Sequence, residues 1–345
     1  MFDVSMETVA RILRDFHVPS KPVGFSELQR YHYERDDPAS KEVRLIVRVA
    51  LESGEAVVIR FKNEAGVSLD LINAQSRFAA LLSAHGIATP ALFQVDGQYA
   101  AWYRLNGYDA IVAVESFEEG EIWFVNEAVA ERTGELLADM HDIAEKADFH
   151  VANDVLFNPL AKNDLFDFSE FERHQKPLMT IDAGMYRDIA ATYQVHMRVI
   201  ATLAGEPRYA VQGDISHCTL YLTDKGTIGI FDFNRCGDNN LYFDAVMQSL
   251  FEARLMDYPD AYAGRAEETI LPAFLQGYHQ QRPFSKAQRE VFPYLYAVVS
   301  AFWLTDMKWS NTSLRQAVED DDREATREAL HQVHRRIHHL PAMPV

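Results

Sequence analysis

The chain has 345 residues, 48% of them hydrophobic, and a formal charge of −18 from 33 bases and 51 acids. That length allows one large or two modest domains with real cores. No apolar run reaches the roughly 18 residues of a membrane span, and so acidic a surface is a poor partner for nucleic acid or anionic membrane.

The acidity is uneven. Residues 1–115 hold 12 bases and 15 acids, and residues 116–345 hold 21 and 36. A small cation would be drawn to the second part. Two cysteines, Cys218 and Cys236, cannot build a disulfide framework, and Met1–Glu7 carries acids where a signal peptide carries bases. A reduced, cytoplasmic setting is the expectation.

In chain order, Ser5–Phe16 has helical spacing through Val9, Ile12 and Leu13. Val43–Leu51 and Ala56–Phe61 read as strands joined across Glu52–Glu55. Leu69–His85 reads as a helix stopped by Gly86, with Pro90 beyond it. Leu92–Val95 and Ala100–Tyr103 suggest a hairpin through Asp96-Gly97, and Ala110–Val114 a fifth strand. Past Phe117–Glu121 the pattern turns helical: Val125–His141, Met185–Leu203, Phe243–Arg254, Ala266–Gln280, Lys286–Met307 and Leu314–His339. The boundary falls near Ser116, giving domains 1–115 and 116–345, with a hairpin over residues 219–231 in the helical part.

Two short apolar runs, Thr219–Leu222 and Thr227–Phe231, flank Thr223-Asp-Lys-Gly226, whose glycine suits a tight turn. Asp214 precedes them in a Gly-Asp turn and Asp232 follows, 18 positions later. A hairpin folds the chain back, so its open end can bring two acids together. Phosphoryl transfer uses such a pair, one acid holding Mg²⁺ and the other orienting the attacking hydroxyl. An acid directly after Ile228–Phe231 is costly to bury without a cation.

Gly213, Asp214, Asp232 and Phe233, with Phe243-Asp-Ala-Val246 beyond, resemble the catalytic core of the aminoglycoside phosphotransferase and choline kinase-like family. Gln212 stands where the family has His, and Thr219 where it has a metal-binding Asn. The resemblance implies an α+β, bilobal protein-kinase-like fold. A small amino-terminal antiparallel β-sheet lobe with one helix would bind nucleotide, and a larger, mainly helical lobe would carry catalysis and substrate.

It also implies an ATP- and Mg²⁺-dependent transfer of the γ-phosphate to a hydroxyl of a small molecule, for which a cationic acceptor suits the charge. Asp214 would be the general base, Asp232 the metal ligand and Thr219 the second ligand, with Asn234 and Asp238 near enough to compensate. Arg60 or Lys62, on one strand face, would hold the phosphates. Ala113–Phe117 lies where the kinase hinge meets adenine, which puts Glu115 and Phe117 beside the nucleotide.

The acid that pairs with the phosphate-holding cation is absent from its expected helix position, where Gln75 or Arg77 stands; Glu64 and Asp70 are the alternatives. His141 matches a family position of structural or functional role. The last helices would complete the acceptor pocket, with Phe302, Trp303, Trp309 and Tyr294 as lining or core. The rival reading is a pseudokinase or nucleotide-binding interaction module.

His331, His334 and His338 share a helix face at i, i+3 and i+7. No acid or cysteine in that segment completes a metal set, and Arg335 and Arg336 interrupt it. A solvated helix end is expected there.

Overall fold

The computed structural model describes residues 2–33, 42–255, 262 and 264–345. The chain divides into two units, one of Met1–Ile122, Val151–Asn153 and His217–Cys236, the other of Trp123–His150, Asp154–Ser216 and Gly237–Val345.

The first unit is built on a five-stranded antiparallel sheet. Its strands are β1 (Pro22–Tyr33), β2 (Glu42–Leu51), β3 (Ala56–Asn63), β4 (Ala100–Leu105) and β5 (Tyr108–Ser116), in the order β1-β2-β3-β5-β4. Strand period two sorts their residues onto opposite faces. Val57, Ile59 and Phe61 join Leu45, Val47, Val49, Val112 and Val114 in one apolar core. Helix α1 (Met6–Asp15) completes that core with Val9, Ile12 and Leu13, its first turn capped by Ser5.

The other face carries Arg60, Lys62, Ile111 and Glu115 and meets α2 (Leu69–Ala84) through Ile72. Ser68 caps α2, and Gly86 leaves it at φ +91°. The sheet has the expected five strands, but one is different. Leu92–Val95 makes only isolated bridges, to Glu115 and Gln98. The fifth strand is β1, an edge strand whose alternation is broken by register shifts at Pro22/Gly24 and Glu27/Gln29.

The segment 217–236 groups with this sheet, whereas the sequence reading places it in the helical part. Strands β7 (Leu220–Leu222) and β8 (Ile228–Ile230) form the expected hairpin, with Gly226 at φ +76°. Its outer groups are tied down by Ile230 N–H donating to Ala88 O at 2.9 Å and Leu222 N–H to Gly120 O at 2.7 Å. A Cβ on Gly120 would lie 2.1 Å from Leu222 O, so this approach requires glycine.

The second unit is mainly helical: α3 (Glu127–Lys146), α4 (Phe168–Arg173), α5 (Gln175–Ile200), α6 (Leu241–Leu255), α7 (Ala266–Gln281), α8 (Lys286–Ala301), α9 (Leu314–Glu319) and α10 (Arg323–Ile337). A two-stranded ladder, β6 (Arg208–Val211) with β9 (Gly237–Asn240), leads into α6. α3 and α7 pack closely because each offers a glycine. A Cβ on Gly134 would stand 2.0 Å from Phe274 O, and one on Gly277 1.9 Å from Glu131 O. α5 kinks at Asp182, whose carboxylate caps the second half by accepting from Met185 N–H at 2.9 Å. The single helix expected over Leu314–His339 is two, broken where Asp321 takes φ +53°. Among the described residues no helix is long and apolar enough to cross a membrane.

Candidate active site

In the first unit, Arg60 and Lys62 lie on the same face of β3, as period two requires, and line one pocket with Gln75, Glu115, Asp232 and Asn234. The Arg60 guanidinium reaches Glu115 Oε1 through Nε at 2.9 Å and Nη2 at 2.7 Å. Its Nη1 stands 3.7 Å from Asp232 Oδ2. Lys62 Nζ donates to Asn234 Oδ1.

This pocket decides its own charges. Burial opposes charge on Arg60, but Glu115 and Asp232 outweigh it and hold the guanidinium protonated above its ordinary range. Burial pushes the Asp232 carboxyl up, yet Arg60 and Lys62, with the Asn234 N–H, hold it below the usual carboxylate range. For Lys62 burial wins. With Arg60 and Arg44 adding repulsion against the pull of Asp232, the ammonium is pushed down to about 8.

Asp232 leaves the hairpin in the left-handed region, φ +59° and ψ +70°, and caps the following turn through Asn234 N–H. A non-glycine residue there holds a sparsely populated conformation, which aspartate tolerates better than most. Thr219 is buried at the same open end of the hairpin, where its carbonyl accepts from Phe231 N–H at 3.0 Å. Thr219 just before β7 and Asp232 just after β8 thus lie at the same end of the hairpin.

Gln75, at the position expected for an acid, is buried and pairs with no cation. Its amide donates to Asn234 O at 3.0 Å and Cys236 O at 3.1 Å, fixing the backbone just after Asp232. The acid that pairs with Arg60 is Glu115, brought from β5. Sequence reading gave Glu115 a place beside adenine and missed this pairing. The signal was the ladder itself: Arg60 faces Ala113, and Glu115 is the diagonal neighbour two residues on.

Glu64, one of the two alternative acids, is occupied by Arg44 at 2.9 Å. Phe117 gives its N–H to Ala56 O and lays its ring 4.6 Å from the Arg48 guanidinium. It does not line the pocket.

In the second unit, Gly213 turns at φ +85° and Asp214 follows, half-buried, after β6. The Asp214 N–H donates to Gln212 Oε1 at 2.7 Å, and Ile215 N–H donates to Gln248 Oε1 of α6 at 3.0 Å. Gln212, fully buried, thereby shapes the turn that presents Asp214.

His141 is a buried structural group. Its Nε2 lies 3.1 Å from Asp244 Oδ2 and its Nδ1 2.9 Å from the Tyr278 hydroxyl. Asp238 is engaged by His150 Nδ1 at 3.0 Å. Phe302 is core, edge-on to Phe168 at 5.0 Å and Phe171 at 5.5 Å, whereas Trp309 is exposed. Trp303 lies under Arg254 and lines a cavity of about 410 Å³ with Glu267, Tyr296, Asp306 and Arg336.

Comparison with known proteins bears on the fold and the family. No curated protein matches the sequence. Among solved structures the chain is similar to amicoumacin kinase hAmiN in complex with AMP-PNP, Ca²⁺ and Ami, at 17% identity and TM-score 0.53, covering 94% of this chain and 92% of that one. A microcompartment-associated aminopropanol kinase gives 13% identity and TM-score 0.52 over 90% of each chain. An aminoglycoside phosphotransferase from Alicyclobacillus acidocaldarius gives 9% and 0.51, covering 89% of this chain and 92% of that one. These likenesses show a shared fold. The family profile described as the phosphotransferase enzyme family (APH) matches residues 38–287, most of the length, and the chain belongs to that family.

Proposed function

We propose that the protein transfers the γ-phosphate of ATP to a hydroxyl of a small molecule, with Mg²⁺. The observation that carries this reading is the meeting of Arg60 and Lys62 with Asp232, an acid held ionised in left-handed backbone at a hairpin end. Hard oxygen donors suit Mg²⁺, and the Asp232 carboxylate with the Thr219 hydroxyl supplies them. The Asn234 amide oxygen, now on Lys62, is a third donor. When bound, ATP brings the transferable phosphoryl group and Mg²⁺ offsets its charge.

The chain's residues do the rest. Arg60, fixed by Glu115, and Lys62 hold the phosphates. Asp214 orients the acceptor hydroxyl and takes its proton late in the transfer, since an ordinary carboxylate is too weak a base to take it early. The pocket among Arg60, Lys62 and Asp232 encloses about 50 Å³, room for water but not for a purine. Adenine therefore sits outside it or opens it. The acidity of residues 116–345 favours an acceptor carrying an amine.

Calorimetry of ATP with and without Mg²⁺, on wild type and Asp232→Asn, tests the nucleotide half. ADP release across a panel of amino alcohols and aminoglycosides, on wild type and Asp214→Asn, tests the transfer half. Mg²⁺-dependent binding lost in Asp232→Asn, with turnover lost in Asp214→Asn, is expected. The compact Thr219 hydroxyl favours a second reading, nucleotide binding without transfer. Tight Mg²⁺-dependent binding with no ADP release on any acceptor would select it.

A further inference from the structure

The second unit brings together three groups that phosphoryl transfer leaves unused. His334 and His338 are one turn apart at the end of α10, and α5 supplies Asp188 opposite them. Both imidazoles point Nε2 at one oxygen: His334 Nε2 lies 3.1 Å and His338 Nε2 2.7 Å from Asp188 Oδ2. The ligand atoms of all three residues fall within 4.8 Å of one another. This is the acid missing from the helical segment itself, delivered by a different helix.

The positive charge that argued against metal is committed elsewhere. Arg335 pairs with Glu328 at 2.8 Å, and Arg336 with Asp306 and the Ser300 carbonyl. Asp188 and His338 are exposed and His334 half-buried, so an ion from solvent can reach all three.

We propose that Asp188, His334 and His338 form a site for a divalent transition-metal ion of the zinc class. Two imidazoles and a carboxylate are the donors such an ion accepts, and three protein ligands leave one position for water. Ligands at the usual bond length of roughly 2.0–2.1 Å around a tetrahedral ion stand roughly 3.3 Å apart. The N–O separations of 2.7 and 3.1 Å need to open by roughly 0.6 and 0.2 Å to reach it. The bound ion clips the end of α10 to α5.

The test is titration of the untagged full chain with ZnCl₂ by calorimetry, in wild type, Asp188→Asn, His334→Gln and Asp232→Ala. One ion per chain is expected in wild type and in Asp232→Ala, whose missing acid belongs to the proposed Mg²⁺ site. About tenfold or greater weakening is expected in Asp188→Asn and His334→Gln. Zn²⁺ should also raise the melting temperature of wild type and not of those two variants. Binding in Asp188→Asn as tight as in wild type overturns the proposal. So does loss in Asp232→Ala alone, which would assign the ion to Asp232.

Discussion

Lys62 gives the proposed phosphate site a pH dependence whose two readouts move in opposite directions. Its ammonium is held down to about 8 from an ordinary 10.5, by burial first. If phosphate is bound by the charged form, affinity falls as the charge is lost. About three-quarters of Lys62 is charged at pH 7.5 and about one-eleventh at pH 9, so the apparent Kd for ATP should rise about eightfold across that interval. Starting at pH 7.5 keeps the phosphate's own ionisation, near pH ~6, out of the comparison.

Stability goes the other way. Between about 8 and 10.5 the unfolded chain holds the Lys62 proton more firmly than the folded chain does. Stability from this group therefore rises with pH in that window, and the cost of burying the charge is fully present below it. The difference amounts to about 3 kcal/mol. Lys62→Met should bind ATP weakly with little pH dependence and lose the rise in stability. Calorimetry at pH 7.5, 8.25 and 9, beside urea melts at the same values, reads both. A wild-type ATP affinity that stays flat from pH 7.5 to 9 would refute the assignment of Lys62 to the phosphates.

Two further substitutions probe the scaffold. Gln75→Glu places the acid at the helix position where the family resemblance expects it, yet here it replaces an amide donor with a carboxylate oxygen facing two acceptor carbonyls. A loss of about 1–3 kcal/mol is expected in chemical denaturation, and unchanged stability would mean the amide bonds to Asn234 and Cys236 contribute little. Gly134→Ala drives a methyl into the Phe274 carbonyl on α7 and should cost about 1–3 kcal/mol or more, against a near-neutral Ala at the open, unobstructed Gly205. Equal melting midpoints for the two would contradict the close α3–α7 approach.

Much of the fold was legible because its signals are local. Ser68 and Gly86 bracket α2 by capping, Asp-Lys-Gly turns β7 into β8, and the alternation of Val57, Ile59 and Phe61 marks β3. What escaped was set by pairing at a distance. β1 carries two register shifts and exposes Val23, Leu28 and Tyr31, so no period-two pattern survives in it. β6 and β9 are four residues each, and they are strands only because each meets the other across 25 intervening residues. The kink of α5 and the break before α10 hang on single aspartates whose backbone angles composition cannot reveal.

The same distinction governs the site. Arg60, Lys62 and Asp232 could be named from strand period and hairpin position, but their partners could not, because each partner comes from another element. An acid on α2 would hold Arg60 from the helix side. Here Glu115 holds it from the neighbouring strand, and that leaves the α2 position free for Gln75 to clamp the backbone behind Asp232. The two departures compensate one another. A chain with glutamine on the helix and no acid on β5 would leave a buried guanidinium leaning on Asp232 alone, at the cost of the carboxylate a metal needs. Glu115→Gln therefore tests the pair more sharply than any change at Gln75. It leaves Asp232 to neutralise Arg60, so Mg²⁺-dependent ATP binding should weaken while ATP binding without metal changes little.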